Sequence, residues 1–483
     1  MKVGDSSNSS ASSTTRSSSS SKTESSSSTS NTSDKDPATG SASSSTDHDY
    51  VPSWERSQEF DAPESEVSLD ELQSSLAQNF CDFIQGDRDT NAQGVQEYMN
   101  SQDPAAYQQA LEQSGVQMGT GAGAEPGTLF IDDQFTVADT ANLADPDLTG
   151  HGYNVADAAR DQGFEGPIVG SNSLPAMNHV ANTQGAIQAL ETAGQDQQAA
   201  LQSLDLFTTS MAGGLLEQKR NTLQALTCDG VTQSAVNFSQ GQTPATVVDR
   251  LYGDMSPVLS GQPSSDPAEA AAQQNLVDNL ASAFAVDQQA LNSADPAIQQ
   301  EAQQQLMQGL VDRVSDTFAN SPDLEFARGS YDMAVANFEA GNNSVVVSSG
   351  NQNYVAQDLT EEFGALNFPS NFTSNVLDTS QSTAVGATYG SGATLQEAGY
   401  SNPGEVYANG TVTYPNTEVQ GTSFASPRYA AVAAEMHGQN PSFSSAQVEA
   451  AIAGQMTHTL ATQSGTSAVL DPTSVASFLQ AAQ

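Results

Sequence analysis

Basic residues are what this sequence lacks most. Lys and Arg together number 13 against 57 Asp and Glu, giving a formal net charge of −44. The acids are an ordinary share of the length, so missing cations cause the imbalance. Lys2, Lys22 and Lys35 lie near the start of the chain, and Lys219 alone serves the rest. No basic stripe exists to neutralise phosphates or an anionic surface, which argues against nucleic acid and membrane as partners. Cysteine is scarce as well. Cys81 and Cys228 fall in different segments, which suggests neither a disulfide framework nor a zinc site and reads as two buried or incidental thiols. No apolar run reaches the roughly 18 residues of a membrane span, and no apolar stretch follows Lys2, so neither a span nor a Sec-type signal is expected.

What is present changes along the chain. Residues 1–50 hold 21 Ser and 7 Thr, with Tyr50 as the only aromatic. Such a composition buries too little surface to offset chain entropy, so residues 1–66 are expected to be a disordered leader. In composition it resembles the unfolded leaders of bacterial type III secretion substrates. That resemblance implies secretion without a Sec-type signal, with delivery into a host cell as one destination. Residues 67–118 read as a small helical segment, with Ser68 or Asp70 as N-cap ahead of Leu72, Leu76, Phe80 and Phe83. The run GTGAGAEPG (119–127) punctuates the chain, and the main domain, 119–483, is expected to begin there.

Beyond that point short apolar runs alternate with helical stretches. TLFID (128–132), SAVNFS (234–239), SVVVSSG (344–350) and TAVGAT (383–388) are too apolar for strands with a solvated face. Spaced by helices, they predict an α/β fold with a mostly parallel sheet covered on both faces. Residues 266–320 break the rhythm with two Asp-Pro helix starts, at Asp266 and Asp295. They predict a helical insertion over about 253–325, solvated or lid-like in character.

The chemistry gathers around QGTSFASPRYAAV (420–432). Pro427 is tolerated only near a helix start, so a helix should begin close to Ser423 and set its hydroxyl among unpaired N–H groups. Upstream, an apolar strand ends in an acid at Asp132, an HG pair opens a helical run at His151, and Asn351 follows a buried strand. A serine becomes a nucleophile when a neutral imidazole takes its proton, and a buried carboxylate must hold that imidazole in one tautomer. An asparagine amide can donate to an oxyanion.

In order and local context these residues resemble the subtilisin-like serine peptidases. GTSFASPRYAA stands for the family's GTSxA(S/T)PxxAG, HGYNVA for HGTHVA, LFIDDQF for the aspartate strand and VVVSSGN for VVVxAAGN. AVNFSQG (235–241) resembles the strand that pairs with substrate, EVYANG (405–410) the strand before the nucleophile, and NPSFSSAQVEAAI (440–452) the closing helix. Tyr153 and Asn154 depart from the family's Thr and His, and should alter packing at the histidine helix without removing the imidazole. No β-rich propeptide is recognisable before residue 120.

The resemblance implies a serine endopeptidase acting on protein or peptide substrates through an acyl-enzyme. Ser423 would attack, His151 carry the proton, Asp132 orient His151, and Asn351 with the Ser423 N–H receive the oxyanion. Ser239, Gln240 and Gly241, with Ser348, Ser349 and Gly350, would line the substrate strand and the first specificity pocket. No cofactor is required by this chemistry. Calcium sites are frequent in the family, yet no loop here names a ligand, and oligomeric state is not legible. Alternation places Asp132 and Asp133 on opposite faces of the strand, and the family pattern selects Asp132. Two alternatives stay open: a catalytically silent subtilase fold acting as a binding module, and a sedolisin-like acid peptidase whose base is a glutamate.

Overall fold

A computed structural model describes residue 81 and residues 104–135, 150–171, 177–194, 196–415, 417–456, 458–463 and 465–470. The expected leader, and most of the helical segment expected at 67–118, lie outside the described residues. In chain order the described elements are α1 (Pro104–Ser114), β1 (Val116–Met118), β2 (Leu129–Asp132), α2 (His151–Asp161), β3 (Ile168–Ser171), α3 (Met177–Thr192), α4 (Gln197–Cys228), β4 (Ala235–Phe238) and α5 (Pro244–Leu259). There follow α6 (Pro267–Ala283), α7 (Pro296–Asn320), α8 (Pro322–Glu339), β5 (Ser344–Ser348), α9 (Asn353–Phe363), β6 (Thr383–Tyr389), β7 (Gln396–Glu397), β8 (Val406–Asn409), β9 (Thr411–Thr413) and β10 (Glu418–Gln420). The last are α10 (Thr422–Gln439), α11 (Ser445–Gln455), β11 (His458–Thr462) and β12 (Gly465–Leu470).

The fold is α/β. Its main sheet runs β1-β3-β2-β4-β5-β6-β8-β12-β11, with β7 added on β6, and only the β6–β7 and β11–β12 pairings are antiparallel. The apolar runs become strands because each is buried on both faces, as a sheet between helix layers requires. Alternation divides them. Phe130, Val236, Phe238, Val345 and Val347 pack with the helices α4 to α8, whereas Leu129, Ile131, Ala235 and Val346 pack with α2, α10 and α11.

Three expectations need correction. Val116–Met118 pairs in parallel with β3 as an edge strand of the main sheet, so the glycine-rich run at 119–127 is a turn within the fold and not its border. The helical insertion spans α5 to α8 and is no solvated excursion: Leu276, Leu280, Leu306, Leu310 and Phe318 are buried in the core of that face. Their apolar spacing needs a partner surface, and α4 and the sheet supply it. Finally, Cys81 and Cys228 are not separate thiols. They form a disulfide with Cα atoms 5.4 Å apart, across 147 residues of sequence. Sequence distance gives no hint of a contact made by tertiary packing.

Among the described residues no helix is long and apolar enough to cross a membrane.

Candidate active site

Strand ends and two helix starts converge at the carboxyl edge of the sheet. β2 delivers two adjacent acids to it. The ladder continues one residue past the strand, with the Asp133 N–H donating to the Ser171 carbonyl at 3.0 Å, so alternation still governs where the acids point. Asp133 shares the face of Leu129 and Ile131, against which α2 packs. There its Oδ2 lies 2.8 Å from His151 Nδ1, and its Oδ1 accepts the Gln134 N–H at 2.6 Å. Asp132 faces the other way. Its Oδ2 accepts the Thr222 hydroxyl at 2.6 Å and lies 3.4 Å from Lys219 Nζ on α4. The partner of His151 is therefore Asp133 and not Asp132. The alternation argument was sound, but the register was off by one, because α2 lies on the face of the odd-numbered residues.

Glycine explains how α2 approaches so closely. A Cβ on Gly152 would stand 2.9 Å from the Phe135 ring and 3.0 Å from the Gln134 carbonyl. Instead the Gly152 N–H donates to that carbonyl at 2.8 Å, which ties the histidine to the loop carrying Asp133. The departures after the HG pair act as packing: Tyr153 stacks edge-on against Phe135, and Asn154 accepts a hydrogen bond from the Tyr414 hydroxyl at 2.5 Å.

Burial dominates the electrostatics of the pair without deciding them. It would raise the pKa of Asp133, but the His151 charge and hydrogen bond, the Gln134 N–H and the Lys219 charge outweigh it and hold the carboxyl below the usual range. Burial would likewise lower His151, yet the Asp133 charge and hydrogen bond leave the imidazole above its ordinary value. The imidazole side chain is 36% exposed while the carboxylate behind it is sealed.

Ser423 stands on the other side of the same cavity, one residue into α10. Its setting follows from Pro427. A proline has no N–H, so the carbonyl four residues earlier, that of Ser423, loses its helical donor. The Ser239 hydroxyl replaces it at 2.9 Å, and the Ser423 hydroxyl in turn donates to the Ser239 carbonyl at 2.9 Å. This reciprocal pair joins β4 to α10. Asn351 completes the edge. Its Oδ1 accepts both the Thr422 N–H, at 2.8 Å, and the Thr422 hydroxyl, at 2.9 Å, which leaves Nδ2 to donate elsewhere. Gly421 makes room for that amide, since a Cβ there would lie 3.2 Å from Nδ2.

The cavity measures about 650 Å³ and is lined by Ser239, Gln240 and Gly241 as expected, together with Asp133, His151 and Ser423. Its remaining wall comes from α3, through Thr183 and Gln184, from α4, through Ser210, Met211, Gly214, Leu215 and Gln218, and from Gln134 and Gln242. Ser348, Ser349 and Gly350 are not among the residues that line it. All three are buried, with polar groups spent internally. The Ser348 carbonyl accepts from Asn375, the Ser349 hydroxyl donates to the Asn402 carbonyl, and the Gly350 N–H donates to the Thr422 hydroxyl. Sequence reasoning missed Asp133, for which a signal existed, and the α4 wall, for which none did.

Among the described residues no group of three or more His, Cys, Asp or Glu could hold a metal ion. No protein-family model matches the chain, and a search of curated proteins finds no relative.

Proposed function

We propose that the protein is a serine endopeptidase with a subtilisin-like arrangement, cleaving peptide bonds through an acyl-enzyme. One observation carries the reading. A buried carboxylate holds His151 Nδ1 at 2.8 Å on the wall of a cavity that also presents Ser423 from a helix start. In this reading Asp133 fixes the imidazole with its proton on Nδ1, leaving Nε2 to act as base. Ser423 turns about its Cα–Cβ bond away from the Ser239 carbonyl and passes its proton to Nε2 as Oγ bonds to the substrate carbonyl carbon. The oxyanion takes hydrogen bonds from Asn351 Nδ2 and the Ser423 N–H, at the positive end of α10. Collapse breaks the C–N bond, His151 hands its proton to the departing amine, and water repeats the sequence on the ester.

The pairing with an imidazole weighs against a sedolisin-like acid peptidase, whose base would be a glutamate. The silent-fold alternative draws on one observation: the Ser423 hydroxyl is bonded to Ser239 and not to His151. Among the described residues the cavity lining carries no Lys or Arg, and its only carboxylate is committed to His151, so a preference for charged substrate side chains has no support. No cofactor enters the proposed chemistry. For destination, the disulfide favours an oxidising, extracellular setting over a reducing host cytosol.

The test is digestion of a peptide library by the purified full chain, read by mass spectrometry beside His151→Ala. Cleavage by the wild type alone supports the reading. Identical profiles, or none from either protein, would remove it.

A further inference from the structure

A lysine is among the residues least often buried, and an unpaired charge inside a protein is costly. Lys219, the single lysine beyond position 35, is nevertheless completely buried. Its helix, α4, crosses the end of β2. There Nζ donates to the Asp132 carbonyl at 3.2 Å, lies 3.4 Å from Asp132 Oδ2, and sits over the Phe238 ring, 5.3 Å from its centroid. Thr222, three residues on, donates to the same carboxylate. The residue thus gripped is joined by a peptide bond to Asp133, the partner of His151. Alternation turns Asp132 toward α4 and Asp133 toward α2, so the ammonium stands behind the pair and outside the substrate cavity. Lys219 is absent from the cavity lining although its neighbour Gln218 is part of it.

We propose that Lys219 is a positioning residue for the His151–Asp133 pair: its hold on the Asp132 carbonyl fixes the strand end that aims Asp133, and its ammonium sets a positive charge behind that pair. Among the described residues few groups compete with it. β2 presents Asp133 to His151, α4 presents Lys219, and α10 presents Ser423 and Phe424, which carry no charge. Asp132 directs its carboxylate to α4. The influences on His151 agree with this layout: burial and the Lys219 charge act downward, the Asp133 charge and hydrogen bond upward. A base kept neutral over more of the pH range is what the proposed chemistry needs. The consequence for turnover rests on the peptidase reading; the consequence for imidazole titration does not.

The experiment is a proton NMR titration of the histidine rings in the full chain, with the His151 signal identified by its loss in His151→Gln. Lys219→Met should move the His151 midpoint up by about one pH unit, the size expected for removing one nearby buried charge. Lys219→Arg should bring it back toward the wild type. A methionine variant that titrates as the wild type does, or an arginine variant displaced as far as methionine, would overturn the proposal. Should Lys219→Met not fold, Asp132→Asn and Asp132→Asn/Lys219→Met give the same comparison without a stranded buried carboxylate. The double variant must then titrate higher, and equal midpoints would overturn the proposal. The acid limb of kcat/KM should move with the midpoint. A wild type that cleaves no peptide would defeat the peptidase reading while leaving the titration result to judge Lys219.

Discussion

Two histidines lie at opposite ends of this sheet, and α10 reaches the surroundings of both. At its start Ser423 faces the cavity that His151 lines; in its last turn His437 Nε2 lies 2.9 Å from Ser344 Oγ, at the amino end of β5. By distance alone the second pair is the better Ser–His contact. Its chemistry is poorer in every other respect. His437 is wholly buried, its Nδ1 has no partner among the described residues, and burial pushes its pKa down to about 4. Among those residues no carboxylate sets its tautomer, and none stabilises an imidazolium. His151 has Asp133 on Nδ1, a raised pKa and an open side toward the cavity. In the proposed mechanism, therefore, a close hydroxyl is not what marks the base; an anchored far nitrogen and room for substrate are.

Substitutions can break this contrast. The largest effect is expected from the serines: Ser423→Ala should lower peptide turnover by about 10⁶, while Ser344→Ala should leave kcat and KM where they are. Comparable losses from the two would mean that the site is misassigned. Next come the acids. Asp133→Asn should cost about 10⁴ in kcat by freeing the imidazole to take the wrong tautomer, whereas Asp132→Asn, which keeps its carbonyl for Lys219, should cost under about tenfold. Steady-state assays on one peptide would rank them, and the opposite order would restore Asp132 to the role the family pattern gave it. Asn351→Ala should lower kcat by about 10² to 10³ with KM little changed, since the bond is made to the oxyanion. An unaltered kcat would take Asn351 out of the mechanism.

The smallest effect concerns His437 and stability. Its pKa is depressed in the folded chain, so between its unfolded value near 6.5 and about 4 the unfolded chain binds a proton that the folded chain does not. Stability from this group is lost as pH falls through that window. Glu339 and Glu405, both raised to about 7 chiefly by burial, act in the opposite sense as pH rises from about 4.5 to 7. The comparison that isolates His437 is thus wild type against His437→Gln. The difference in Tm should shift in favour of the variant as pH drops from 6.5 to 4, and a constant difference would mean that the histidine is not held neutral.

Much of the frame was legible because burial on both faces leaves an unmistakable mark. LFID, AVNF, SVVVS and TAVGATY carry almost nothing that water would keep, and each became a strand within a residue or two of its expected bounds. Strands lacking that mark were missed: HTLAT and GTSAVL are half polar, and they pair at the sheet edge where burial is incomplete. At the site, the placing of His151 and Ser423 at helix starts and of Asn351 after a strand was legible from local context, since such positions are written in a few residues. The Asp132–Asp133 choice was not local. It depended on which face α2 would cover, a tertiary fact. The same limit hid the Cys81–Cys228 bond and the burial of Ser348, Ser349 and Gly350 beneath Asn375 and Asn402. One clue was present: a lone lysine in a body otherwise free of them is a charge with a reason to be there.

The account turns on whether Asp133 and His151 activate Ser423, and covalent labelling tests this without knowledge of the substrate. A fluorophosphonate probe, located by tryptic mass spectrometry, should modify Ser423 in the wild type and in Asp132→Asn. It should fail, or react far more slowly, in Asp133→Asn and His151→Ala. Absence of label at Ser423 in the wild type, or labelling indifferent to Asp133 and His151, would contradict it.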